Sequence, residues 1–319
     1  MPTRPFPPLN GLTFESVIPG SDRLARYRDS VDGRCVTVER HPAKSPAFQP
    51  GDLTLNDEPE VVAHVTEVHT VEDAHYVVCA EDFAATVGAR IQDRRWSARD
   101  RLRTIGALAA SLRVLQARGV VHGDLTPEGL LLTHDGALRI APFTAATIAV
   151  ATAPVTRGGA RTFGPTLSRE RATGGALGYL APEQLLASTT TSASDIFSWG
   201  CIAYEMATGR SPFGFVTELT TLVAAMAKGP ARSIASLSGE FSPLLDEAVA
   251  RAVRVDSSSR ALPEVVPEAW LTTPTQPGVS QPARDAQGAP VPASSAPRAL
   301  LAAIATLLIA SAIYFVTSR

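Results

Sequence analysis

Lysine is nearly missing from this chain. Of its 29 basic residues only two, Lys44 and Lys228, are lysines. Chemistry that needs an ammonium group N-terminal to residue 228 therefore has one candidate, Lys44. Cysteine is scarce as well. Cys35, Cys79 and Cys201 are odd in number and far apart, which argues against a disulfide framework and fits buried thiols in a reducing compartment. Neither charge sign dominates. The formal net charge is −2 over 319 residues, so nothing points to a nucleic-acid partner. Met1 to Gly11 contains prolines and no apolar run, and no signal peptide is expected there.

What is present divides by composition. Residues 1–11 read as an N-terminal tail, and residues 12–270 alternate apolar and polar stretches as a folded domain does. Residues 271–298 are rich in Pro and Ala without periodicity. Such a segment buries too little apolar surface to offset chain entropy, so a disordered linker is expected. Residues 299–316 form one uncharged run of 18 residues. As a helix it would span about 27 Å at ~1.5 Å per residue, close to the ~30 Å hydrocarbon core of a bilayer. A C-terminal transmembrane helix is expected, with 317–319 as a short tail. A buried core helix is the alternative, disfavoured because the linker isolates the run. With nothing N-terminal to direct translocation, the expected placement is a single-pass tail anchor in the cell membrane with the folded domain in the cytoplasm. Ala302, Thr306 and Ala310 recur every four residues; small residues so spaced let helices approach closely and leave a weak homodimer open.

Inside the folded region strands come first. Gly11 to Glu39 alternates with a turn at Asp32-Gly33, and Val61 to Cys79 favours short strands. Helices follow. Ser97 can cap a helix whose Leu102, Ile105, Leu108, Leu112 and Leu115 share one face and which Gly119 can end. A second helix is expected over about 194–208 with Gly209 as its stop, and a third over about 243–255. The order predicts an α+β fold with a β-rich lobe of about residues 12–82 and a larger helical lobe of about 83–270.

Five motifs then occur in one order. His122-Gly123-Asp124-Leu125 opens a loop that continues to Gly129. Ala181-Pro182-Glu183, Ser194-Asp195-Ile196-Phe197-Ser198-Trp199-Gly200, Thr208-Gly209-Arg210-Ser211-Pro212-Phe213 and Asp256-Ser257-Ser258-Ser259-Arg260 follow. Together they resemble the H-R-D-L-x-x-x-N catalytic loop, the A-P-E motif, the buried anchoring helix, the turn after it and the late D-P-x-x-R of eukaryotic-type Ser/Thr protein kinases, including the bacterial ones. The resemblance implies a bilobal fold over roughly residues 12–270. It also implies ATP and Mg²⁺ as cofactors, Asp124 at the general-base position, and a pair between Glu183 and Arg260. His122 and Asp195 would hold the loop.

The catalytic parts depart from that pattern. The strand lysine of V-A-I-K is Glu39 within Val36-Thr37-Val38-Glu39; a carboxylate there repels phosphates. The Gly-rich loop keeps Gly20 alone of its three glycines, with Asp22 and Leu24 in the way of close backbone approach. The two protein ligands of Mg²⁺ are replaced, the catalytic-loop asparagine by Gly129 and the D-F-G aspartate by Pro142. Pro42, Pro46, Pro50 and Gly51 forbid a long regular helix where the lysine's glutamate partner belongs. Gly123 cannot pair with a phosphorylated activation segment, although residues 143–181 are rich in hydroxyls. Asp124 is then either a general base or a structural carboxylate.

These features favour a membrane-anchored pseudokinase that acts as a scaffold or regulator. Its expected partner is a protein, such as an active kinase acting on the hydroxyl-rich segment or a phosphothreonine-binding protein reading it. A divergent active Ser/Thr kinase using Asp124 and a nucleotide-binding switch without phosphotransfer are the alternatives.

Overall fold

The structure is a computed structural model. It describes residues 6–19, 21, 23–42, 60–72, 74–141, 161–162, 176–187, 189–214, 216 and 218–272. Gly20, Pro142, most of 143–175, the linker and the run 299–316 lie outside these residues. Among the described residues no helix is long and apolar enough to cross a membrane.

Strands β1 (Leu12–Val17), β2 (Leu24–Asp29), β3 (Cys35–Pro42), β4 (Val65–Val71) and β5 (Ala74–Cys79) make one antiparallel sheet in the order β1-β2-β3-β5-β4. The hairpin between β2 and β3 turns through Gly33, whose φ of +73° suits glycine. Period-2 alternation gives the sheet two buried faces. Tyr27, Val36, Val38, Tyr76 and Val78 face outward, where Leu9 and Phe6 cover them. Tyr27 donates from its hydroxyl to the Pro7 carbonyl at 2.7 Å. Residues 6–11, read as tail from the sequence, thus contribute to the folded unit.

A second antiparallel sheet, β6-β7-β8, is built from β6 (Phe83–Thr86), β7 (Leu130–Thr133) and β8 (Leu138–Ile140). It meets the segment leading into β4 through an isolated parallel bridge between Val62 and Ile140. There the Ile140 amide donates to the Val61 carbonyl at 2.8 Å. Short helix α1 (Val87–Ile91) follows β6, and α2 (Ala98–Ala117) follows α1. The Ser97 hydroxyl accepts the Asp100 amide at 3.1 Å, all five apolar residues of the predicted face are buried, and Gly119 takes φ +66° just after the helix.

The two-residue strand β9 (Arg161–Thr162) pairs with β10 (Thr189–Thr190). Between them lies α3 (Pro182–Ala187), and the central helix α4 (Ser192–Thr208) comes next. Thr191 and Ser194 form a capping box at the start of α4, and Gly209 closes it at φ +69°. Helices α5 (Leu219–Lys228), α6 (Ile234–Leu237) and α7 (Pro243–Ala252) complete the lobe. The third helix predicted from the sequence stops at Ala252, three residues early, because Val253 to Asp256 turn toward Arg260. The indole of Trp199 donates to the Ile105 carbonyl at 3.1 Å and ties α4 to α2. On α4, a Cβ at Gly200 would lie 2.7 Å from a Val253 methyl, so only glycine permits this approach to the end of α7.

Candidate functional site

The loop 120–129 lies between α2 and β7, and side chains hold it by hydrogen bonds to its backbone. Asp195, in the first turn of α4, reaches across to it. One carboxylate oxygen accepts the Gly123 amide at 2.7 Å and the other the His122 amide at 2.8 Å. Burial pushes the Asp195 carboxyl up to about 7, and these two amides pull it the other way. His122 is buried, and its Nδ1 accepts the Asp124 amide at 3.3 Å. Asp124 is itself buried, at 9% exposure. His122 and Asp195 therefore stand where the sequence places them, and both act on the loop backbone.

Gly123 carries a second set of contacts. Its φ is +76°. Its carbonyl accepts Nε2 of Gln184 at 2.7 Å, and Oε1 of Gln184 accepts the Ala181 amide at 2.9 Å. A Cβ at Gly123 would lie 2.7 Å from the Thr190 methyl. Thus α3, β10 and the loop close around the position where the kinase pattern has arginine. Neither Gln184 nor Thr190 carries a motif in the sequence; Gln184 is marked only by its place directly after Ala181-Pro182-Glu183.

The same helix start is locked from the far side. Arg260 makes a two-pronged pair with Glu183, NH1 to Oε1 at 2.7 Å and NH2 to Oε2 at 2.9 Å. Its remaining N–H groups donate to the carbonyls of Arg254, Ala193 and Val255 at 2.6, 2.9 and 3.0 Å. All five guanidinium donors are used. The Ser194 hydroxyl adds a bond to Glu183 Oε1 at 2.8 Å. The predicted Glu183–Arg260 pair is therefore present.

Across the sheet interface the geometry differs from a nucleotide site. On β3, Thr37 and Glu39 alternate with Val36 and Val38, which puts Thr37 and Glu39 on the inner face. Glu39 is 6% exposed and accepts from Arg23 at 3.0 Å. In the turn after β1, the Ser21 hydroxyl accepts the amides of Arg23 and Leu24 at 3.1 and 3.2 Å. Phosphate-cradling loops aim such amides at the ligand instead. The connection from β5 to β6 is fastened to β3 by one residue. The Thr37 amide donates to the Glu81 carbonyl at 3.1 Å, and the Thr37 hydroxyl accepts the Phe83 amide at 3.2 Å. Asp82 joins Arg26 of β2 at 2.6 Å and His134 of the β7–β8 turn at 3.0 Å. Between the sheets, Ile18, Leu24, Phe83, Leu131 and Ala141 pack with Ala63, Val65, Val77 and Cys79, none more than 3% exposed.

Among the described residues the donor set does not fit Mg²⁺. Gly129 sits in a 3-10 turn capped by Thr126 and offers only backbone, and its carbonyl already accepts the Ala141 amide at 2.8 Å. Among the described residues no group of three or more His, Cys, Asp or Glu side chains could hold a metal ion. Gly20 and Pro142 lie outside the described residues. The three cysteines carry no disulfide; Cys79 and Cys201 are buried, and burial pushes both thiols well above the usual range.

Comparison with known proteins agrees with this geometry. The chain is 32% identical over 137 residues to the serine/threonine-protein kinase drp72 of Corynebacterium efficiens, which covers 43% of this chain and 24% of that protein. It is 28% identical over 190 residues to the serine/threonine-protein kinase PknA of Mycobacterium tuberculosis, 60% of this chain and 38% of that one. It is 33% identical over 114 residues to the serine/threonine-protein kinase PDK1 of Cryptococcus neoformans, 36% of this chain and 9% of that one. The chain thus spans well under half the length of each of these relatives. The family model described as "Protein kinase domain" matches residues 55–267 and starts beyond β1, β2 and β3, the strands that carry the Gly-rich-loop and lysine positions. With well over half of its length matched, a β-rich and helical two-lobed fold, and the Asp195 and Glu183–Arg260 anchors in place, this chain belongs to the protein kinase domain family.

Proposed function

We propose that this chain is a pseudokinase: a kinase-fold protein that transfers no phosphate and works as a scaffold or regulator in signalling. The observation that carries this reading is Glu39. It occupies the lysine position as a buried carboxylate paired with Arg23, where a nucleotide's phosphates need a cation. Three further features support it. Ser21 consumes loop amides, Thr37 consumes the backbone groups of the β5–β6 connection, and apolar side chains fill the space between the sheets. What remains of the kinase architecture is its anchoring. Asp195, Gln184 and the Glu183–Arg260 pair fix a surface without supplying chemistry. In this reading the run 299–316 tethers the domain on the cytoplasmic side of the cell membrane, and the partner is a protein.

Nucleotide binding separates this reading from a nucleotide switch. Full-length chain in mild detergent is titrated with ATP, with and without Mg²⁺, and its melting temperature is followed. A ligand present at 100 times its dissociation constant stabilises by about 2.7 kcal/mol, so binding would be plain. The expected result is no shift under either condition. A shift without metal would replace the scaffold by a switch, and one that needs Mg²⁺ would favour a divergent active kinase that uses Asp124.

A further inference from the structure

The lobes meet where residues 80–82 cross from β5 to β6. Two adjacent acids on this connection reach to different elements. One carboxylate oxygen of Asp82 accepts Nε of Arg26, on β2, at 2.6 Å. The other lies 3.0 Å from Nε2 of His134, in the β7–β8 turn. Arg26 also donates from NH2 to the Phe83 carbonyl at 3.1 Å. Glu81 joins Arg139 of β8 at 2.9 Å, and Arg139 donates in turn to the Glu60 carbonyl, ahead of β4, at 3.3 Å.

A hinge needs a few residues free to absorb a change in φ and ψ. This connection has little such freedom, because its backbone is held as well. Thr37 of β3 donates its amide to the Glu81 carbonyl and accepts the Phe83 amide on its hydroxyl. Thus β2, β3, β8 and the β7–β8 turn all grip the three successive residues 81–83. The Arg26 and Asp82 side chains are only 23% and 25% exposed, so salt screens this pair less than an open surface pair. A bond between guanidinium and carboxylate is also stronger than one between neutral groups.

We propose that Asp82 is an interlobe clasp: with Arg26 on the β-rich side and His134 on the helical side, it fixes the angle between the lobes from within the chain. Kinase-type folds close their lobes around a bound ligand through a hinge. Here paired charges set the angle without one, and the two lobes present a single rigid surface. The inference goes beyond the pseudokinase reading. It rests on these contacts alone and stands whether or not phosphate is transferred.

Hydrogen exchange of the full-length chain in mild detergent, followed by mass spectrometry, tests this, because amide exchange reads local opening. The reporters are peptides that contain the Phe83 amide, bonded to Thr37, and the Ile140 amide, bonded to Val61. Both bonds join the lobes. Asp82→Ala should speed exchange in both peptides at least tenfold and leave peptides of α4 unchanged. If that variant does not fold, His134→Gln replaces it. His134 is 61% exposed, so the change is mild for the fold, and at least threefold faster exchange is expected in the same two peptides. Unchanged exchange in the variant tested overturns the proposal. So does an acceleration that extends equally to α4, which would make Asp82 a contributor to general stability and not a clasp.

Discussion

Arg260→Ala should destabilise the helical lobe more than any surface substitution, by about 3–5 kcal/mol, the usual cost of leaving one partner of a buried ion pair alone. The Arg260 side chain has no exposed surface, and Glu183 is 19% exposed. Removing the guanidinium strands the Glu183 carboxylate and leaves the carbonyls of Arg254, Ala193 and Val255 without their donor. It also takes away the cation stacked over Phe197 at 5.0 Å. Arg260→Lys should recover only part of the loss, since an ammonium offers three donors where five are used. The control is Arg95→Ala. The Arg95 side chain is 92% exposed beside Asp93, and such surface changes stay within about 0.5 kcal/mol. Denaturant unfolding of the variants measures both. Equal small losses at Arg260 and Arg95 would contradict the anchoring role of the pair.

Restoring the kinase arginine at Gly123 should damage the protein rather than repair it. A side chain at φ +76° costs about 1–2 kcal/mol. Forcing a Cβ to within 2.7 Å of the Thr190 methyl adds overpacking, typically about 1–3 kcal/mol. Gly123→Arg should therefore unfold at markedly lower denaturant concentration. Gly129→Asn, which restores the metal-binding residue type, should be nearly silent, because the nearest atom to its Cβ is Thr126 Oγ1 at 3.8 Å. The contrast tells two kinds of loss apart. At Gly129 a ligand is missing from an otherwise permissive turn. At Gly123 the surroundings have closed over the vacated position. A Gly123→Arg variant as stable as the parent would show that the closure is not there.

What the sequence made legible were features with a local or family signature. Ser97 with its apolar face predicts α2 because period and cap lie within one stretch. Asp195 and the Glu183–Arg260 pair were reached through the resemblance, since no local pattern links residues 77 positions apart. The contacts that shape the sheet interface left weaker traces. Thr37 stood in view at the alanine position of the strand motif, but its bonds to Glu81 and Phe83 depend on how β3 meets the β5–β6 connection. Ser21, Gln184 and Thr190 likewise act through single side-chain contacts, which impose no periodicity. Leu9 and Phe6 were hidden by the prolines around them, which read as a tail although the sheet's outer face needs a cover.

Phosphotransfer is the most direct measure of the central claim. Full-length protein in mild detergent is incubated with γ-labelled ATP, Mg²⁺ or Mn²⁺ and a general protein substrate, beside an Asp124→Asn variant. Catalysis in this family rests on electrostatic stabilisation of the transferring group, and Glu39 and Gly129 supply none. The expected result is label at background for both proteins. Incorporation above background that disappears in Asp124→Asn would contradict the account and make this chain a divergent active kinase.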